Sequence, residues 1–320
     1  MLADNRLPKL SVIALFAAAA FNPAGAAAQA VQFDFAWTPG LVGQVSTSSE
    51  SAMESMAGEL TETTAFSFEM AVENHASGLS ITTRDFDFGV PEPTTPGDRL
   101  AQMMQSRRPV LLVSQAGEFV GLEGVEEITA LTRTMLDSMA AEAGAPSEAV
   151  FGGFDGDFWR SQATSDWNTK VGLWVGREFE VGEVVSVGGA QRFPMFGSEP
   201  LPVTWQLEYR GPIACNDSDT GTGCVTLVVR SEPDGIAMAE AMRGFMADML
   251  GEMGPAAMQI TFEIDEVSVD SETVMIVEPG TLLPHSVVAD MTTRSVMSMM
   301  GMSQSSSNRI REETVYTWNR

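Results

Sequence analysis

Val203-Thr204-Trp205-Gln206-Leu207-Glu208-Tyr209 alternates apolar and polar residues without a break. A period of two puts Val203, Trp205, Leu207 and Tyr209 on one face, the signature of a strand with one side buried. Val225-Thr-Leu-Val-Val229 follows after the turn-forming octet Asn216 to Gly223, so the two runs are expected to pair antiparallel. Cys215 and Cys224, the only cysteines, flank that octet. Such a spacing across a hairpin reads as a disulfide in an exported protein.

Working outward, the same grammar recurs. Phe66, Phe68, Met70 and Val72 alternate with polar residues, and His75-Ala-Ser-Gly78 turns the chain into Leu79-Ser-Ile81. The apolar phase slips before Phe86 and Phe88, which predicts a bulge or a strand end. Val110 to Val113 and Phe119 to Leu122 read as short strands around the turn Gln115 to Glu118. Further strands are expected at 260–264, 274–277, 286–291 and 314–318, while Ser303 to Asn308 reads as a polar linker.

Two helices interrupt the strands. Val125, Ile128, Leu131, Met135, Leu136 and Met139 fall at helical spacing, predicting a helix over 124–142. Met238, Met242, Met246, Met249 and Met253 form one stripe of a second helix over 234–253. The expected fold is α+β and mainly antiparallel β. It is a curved sheet or half-barrel with two or three amphipathic helices packed on one face. Such an architecture resembles that of exported lipid and lipoprotein carriers, in which a half-barrel sheet closes over helices.

The first thirty residues give an address. Arg6 and Lys9 precede the apolar run Leu10 to Phe21, Asn22-Pro23 breaks it, and Ala28-Gln29-Ala30 offers a small-x-small cleavage site. Residues 1–30 therefore read as a signal peptide. Residues 31–320 read as one exported β-rich domain, periplasmic or extracellular, or as two similar halves meeting near 145–160. No cysteine follows the cleavage site for a lipid anchor, and no second apolar run reaches the length of a transmembrane helix.

Charge narrows the partners. The chain carries −25, and because the leader holds Arg6, Lys9 and Asp4, the remainder carries −26. Such a charge repels nucleic acid and anionic membrane surfaces and favours solubility. Lys170 is the only lysine beyond the leader. His75 and His285 are the only histidines and lie in no catalytic motif, and no G-x-S-x-G elbow occurs. Acidic residues are so evenly spread that no carboxylate pair stands out. The loop Asn216 to Gly223 has Asp217 and Asp219 but lacks the bidentate Glu of a calcium loop. The expectation is a non-enzymatic protein without a cofactor.

Methionine is the chemical oddity, at 21 residues. A flexible, polarizable thioether adapts to irregular apolar ligands, so Met135, Met139, Met238, Met242, Met246 and Met249 are candidate cavity residues for an apolar small molecule. The occupant could equally be an envelope protein partner, or the stripe could pack as plain core. Met297, Met299, Met300 and Met302 form a tight cluster whose soft sulfurs also suit Cu(I). Of the tryptophans, Trp205 reads as core, while Trp159 and Trp167 sit in loop-like sequence and are expected to be exposed.

Overall fold

The computed structural model describes residues 30–55, 58–89, 96–143, 155–193, 199–215, 223–252, 262–299 and 302–319. The expected signal peptide up to Gln29, residues 216–222 of the polar octet and Met300 lie outside the described residues.

One large open sheet dominates, with eleven strands in the order β6-β5-β4-β3-β2-β13-β12-β11-β10-β9-β8. Every neighbouring pair is antiparallel. The first six strands in this order are β6 (Phe119–Glu123), β5 (Val110–Val113), β4 (Gly78–Asp87), β3 (Gly58–His75), β2 (Val42–Ser55) and β13 (Met302–Asn319). The other five are β12 (Pro284–Met299), β11 (Phe262–Val277), β10 (Cys224–Pro233), β9 (Leu201–Ile213) and β8 (Val184–Gln191). A separate ribbon joins β1 (Val31–Gln32) to β7 (Glu178–Phe179). The helices are α1 (Pro96–Ser106), α2 (Val125–Ala143), α3 (Gly156–Trp167) and α4 (Gly235–Glu252).

The alternation that opened the reading does what a period of two requires. Leu207 and Tyr209 are buried and face Val229 and Leu227 across the β9–β10 ladder. At the ladder's end, where Cys224 pairs with Ile213, Cys215 and Cys224 form a disulfide. Its sequence separation of 9 closes a short loop. Replacing both cysteines by serine should therefore lower stability by roughly 2–3 kcal/mol, read as a shifted denaturation midpoint.

The phase slip before Phe86 also has a physical cause. Asp85 adopts φ +56, and the β3–β4 register shifts between Ser67 and Glu69. Asp tolerates the left-handed region better than most residues, and the bulge returns Phe86 and Phe88 toward the core. At the β3–β4 turn Gly78 has φ +138, and any Cβ there would collide with the Val113 carbonyl and the Ser114 backbone. No other residue fits this turn without displacing β5.

Several strands are far longer than their apolar patterns predict. The described part of the 260–264 run, from Phe262 on, and the run at 274–277 are one strand, β11. Ser303 to Asn308 is not a linker, because Gln304, Ser305 and Ser306 pair with Met297, Val296 and Ser295. Likewise Gly58 to Ala65 is exposed throughout yet pairs residue by residue with β2. These hairpins are held by backbone ladders and cross-strand contacts such as Ser295 Oγ to Ser306 Oγ at 2.8 Å. They bury too little to leave a hydrophobic signature.

The two faces of the sheet differ in chemistry. One carries the main core, in which Phe68 and Val72 of β3 join Met275 of β11 and Leu207 of β9. The opposite face carries cross-strand ion pairs. Arg230 donates to Glu208 at 3.0 Å and to Glu272 at 2.8 Å, and Arg309 pairs with Asp290. Partial burial pushes the Glu208 carboxyl up, but the hydrogen bonds from Arg210 and Arg230 outweigh it and hold it below its ordinary range. Its contribution is thus complete above the unfolded value and disappears as pH falls through the lower, folded one. Acidification from about pH 5 to about pH 3 should cost the wild type more thermal stability than a Glu208→Gln variant, by about 1 kcal/mol or less.

Candidate functional site

The segment before β2 and the segment around α3 build the interior of the molecule. Phe33 and Trp37, in the first, are buried on the core face. Backbone bonds fix this segment, with Phe33 N donating to Arg177 O at 3.0 Å and Gly176 N to Phe33 O at 2.8 Å. Phe33 then meets Trp174 and Tyr209 edge-on, at 5.9 and 5.6 Å between ring centroids.

Helix α3 begins where the Asp155 side chain accepts the Phe158 N–H at 2.8 Å, an N-cap of the expected kind. Trp159, Ala163 and Trp167 then fall four apart on one helical stripe. Trp159 and Trp167 are not exposed, as their loop-like sequence suggested; they are 8% and 4% accessible. The spacing of eight after a capping Asp was the available signal. The helix runs into a wider π turn, Asn168–Gly172, where Leu173 N bonds Asn168 O five residues back at 2.9 Å. Such turns frequently occur at functional sites. This one carries Lys170, the only lysine beyond the first thirty residues.

Between α3 and the sheet lies a cavity of about 390 Å³. Phe68, Met70, Ile81 and Leu111 form its sheet wall; Trp159, Ala163 and Trp167 form its helix wall. Trp37, Met104 of α1 and Leu122 contribute from the sides. Among these apolar walls three polar atoms stand out. Trp37 Nε1, Trp159 Nε1 and Thr83 Oγ1 are buried without a hydrogen-bond partner. A buried donor left unpaired costs about 1–3 kcal/mol. The other indoles nearby are satisfied: Trp167 bonds Gly117 O at 2.8 Å, Trp174 bonds Thr169 O at 3.0 Å, and Trp318 bonds Pro284 O at 2.7 Å.

Charged groups gather at one part of the lining. Lys170 forms an ion pair with Asp166 at 2.8 Å. Desolvation works against its charge, but Asp166, Tyr316 and Glu312 outweigh that and hold the ammonium above its ordinary range. Burial pushes the Tyr316 phenol up, against the pull of Lys170 and Arg108. Arg108 lies over the Phe68 ring at 5.1 Å and the Phe66 ring at 5.9 Å. It bonds the Gln105 carbonyl at 3.2 Å and makes no ion pair with a carboxylate among the described residues.

The methionines stand elsewhere. Met238 is fully buried against Leu201, Ile264 and Val267, with Met242 packed beside it, so this part of the stripe seats α4 on the sheet. Met135 and Met246 are half-buried and do not line the cavity. Met297 packs on the same α4 cluster, and Met299 faces Met302 in register at the end of the β12–β13 hairpin. The side chains of Met139, Met249, Met299 and Met302 lie outside the described placements.

Both histidines are engaged. His75 Nδ1 is 2.7 Å from Ser77 Oγ, its Nε2 is 3.2 Å from Glu123, and His285 Nε2 is 2.9 Å from Glu278. Cys215, Cys224 and His285 place ligand atoms within 4.8 Å of one another, but the sulfurs are joined and offer no thiolate. Among the described residues no helix is long and apolar enough to cross a membrane.

Fold and site together define a large open antiparallel sheet with a cleft between it and one helix. No family model matches the chain, and no curated protein does. Among solved structures, one described as lipid–protein interactions in lipovitellin is similar, with a TM-score of 0.43 and 9% identity. The match covers 88% of this chain and 25% of that one, so the chain spans about a quarter of its neighbour's length.

Proposed function

We propose that this chain is a non-enzymatic protein of an exported compartment that holds an apolar ligand in the cavity beneath α3. In this reading residues 31–320 form the working unit, and the sheet bends as a half-barrel around its filling. The observation that carries the proposal is the cavity itself, apolar on both walls and about 390 Å³ in volume. That volume falls in the range of small-molecule sites, which are typically apolar with a few placed polar groups. The disulfide fits an oxidising compartment.

The test is extraction of the protein, purified from the envelope of its own cell, into organic solvent followed by mass spectrometry. Acyl or similarly apolar material in near-stoichiometric amount is expected. A clean apoprotein that also takes up no hydrophobic dye would contradict the proposal.

A further inference from the structure

Away from the cavity, one cluster of side chains has the composition of a metal site. Cys215, Cys224 and His285 place ligand atoms within 4.8 Å of one another. Two thiolates and an imidazole are the donor set of a tetrahedral zinc centre with one position open. Ligands about 2.0–2.3 Å from a shared ion stand about 3.5–3.8 Å apart, so movement on the order of an ångström would close the site.

The fold sets these residues side by side. Cys224 opens β10, and Val225 after it pairs with Val277 of β11. Val277 in turn pairs with Pro284, the residue before His285 at the start of β12. Cys224 is fully buried and fixed in the β9–β10 ladder, whereas Cys215 is half-buried and lies past the end of β9. One cysteine is anchored and the other stands outside the ladder.

The imidazole is held from behind. His285 Nε2 is 2.9 Å from Glu278 Oε1, and Thr281 Oγ1 donates to Glu278 Oε2 at 3.2 Å. Leu283 N donates to Thr281 Oγ1 at 3.1 Å, which ties the series to the backbone between β11 and β12. The His285 and Glu278 side chains are only 11% and 18% accessible. A carboxylate bonded to one ring nitrogen is the usual partner of a histidine that ligates metal through the other. His75, by contrast, pairs with an exposed Glu123.

We propose that reduction of the Cys215–Cys224 disulfide opens a site for a borderline-soft divalent cation such as zinc, held by both sulfurs and His285 Nδ1. The proposal does not depend on the ligand-binding reading of the cavity. A dithiol would supply the reduction. Its thiolate attacks the sulfur of Cys215, the more accessible residue of the two, and the Cys224 sulfur leaves and takes up a proton. The reductant's second thiol then displaces Cys215 from the mixed disulfide. Both cysteines end as thiols and the reductant as a disulfide. Binding of the cation releases the two thiol protons, because only the thiolate ligates. The same bonds re-close the loop that reduction had opened.

The experiment titrates the full protein with zinc against a chromophoric chelator, once oxidised and once reduced by a phosphine. Both forms carry the same carboxylates, so uptake by the acidic surface is equal and the difference isolates the site. One equivalent should bind the reduced protein roughly a hundredfold or more tightly than the oxidised one. Loss of the second-nearest partner in Glu278→Gln should weaken the reduced form roughly tenfold, and His285→Ala should weaken it further. When oxidised, both variants keep the disulfide and should keep the wild-type far-UV spectrum, which separates lost ligation from lost folding. Equal affinity of the oxidised and reduced forms would overturn the proposal, as would undiminished binding in reduced His285→Ala. Should reduction unfold the chain, zinc is expected to restore the native spectrum, and failure to do so overturns the proposal equally.

Discussion

Replacing Trp174 by alanine is expected to lower the stability of the fold by about 3–5 kcal/mol. Trp174 is fully buried, meets Phe33 at 5.9 Å and Phe179 at 5.4 Å, and anchors the π turn through its bond to Thr169 O. Removing the indole leaves a void among rings that close packing cannot refill, and it orphans a carbonyl. Trp174→Phe should recover much of the packing but not the hydrogen bond, and so fall between wild type and Trp174→Ala. Urea unfolding with an unchanged slope would measure both. A loss below about 1 kcal/mol for Trp174→Ala would mean that this aromatic cluster does not hold the interior together.

The second large effect is expected at Ala163. It is half-buried on the α3 stripe between Trp159 and Trp167 and lines the cavity. Ala163→Phe would place a ring where the ligand is proposed to lie. Losing the burial of one such apolar group is worth about 1.5–3 kcal/mol, so affinity for a hydrophobic dye should fall roughly ten- to a hundredfold. Because the ring fills space that exists, melting temperature should hold or rise. Lost binding with undiminished stability separates an occluded site from a damaged fold. Retained binding would place the ligand elsewhere.

What the sequence disclosed followed burial on one face. Val203 to Tyr209, Val225 to Val229 and the helices at Val125–Ala143 and Gly235–Glu252 were legible because each buries one side of a regular element. Even the Asp85 bulge was visible, as a slip in phase before Phe86. The strands through Gly58 to Ala65 and Ser303 to Asn308 were not legible, since a ladder needs only a neighbour and leaves no apolar trace when both faces are wet. Local composition then reads as linker.

The site was harder. Methionine's adaptability pointed to Met238 and Met242, whose role is to seat α4 on the sheet. The cavity is instead assembled from Trp37, Phe68, Trp159 and Tyr316, which are distant in sequence and brought together only by the sheet order. Lys170 was conspicuous by its rarity, but its place beside Asp166 depends on the π turn.

The most direct measurement is the indole N–H region of a proton–nitrogen correlation spectrum during titration with a hydrophobic dye. The chain has 6 tryptophans, so the region is simple to assign by substitution. The expected result is saturable movement of the Trp37, Trp159 and Trp167 signals, whose residues line the cavity. The Trp174, Trp205 and Trp318 signals, from rings outside the cavity's lining, should move far less. Saturation with no movement at Trp37, Trp159 or Trp167, or with movement confined to the other indoles, would contradict a ligand held beneath α3.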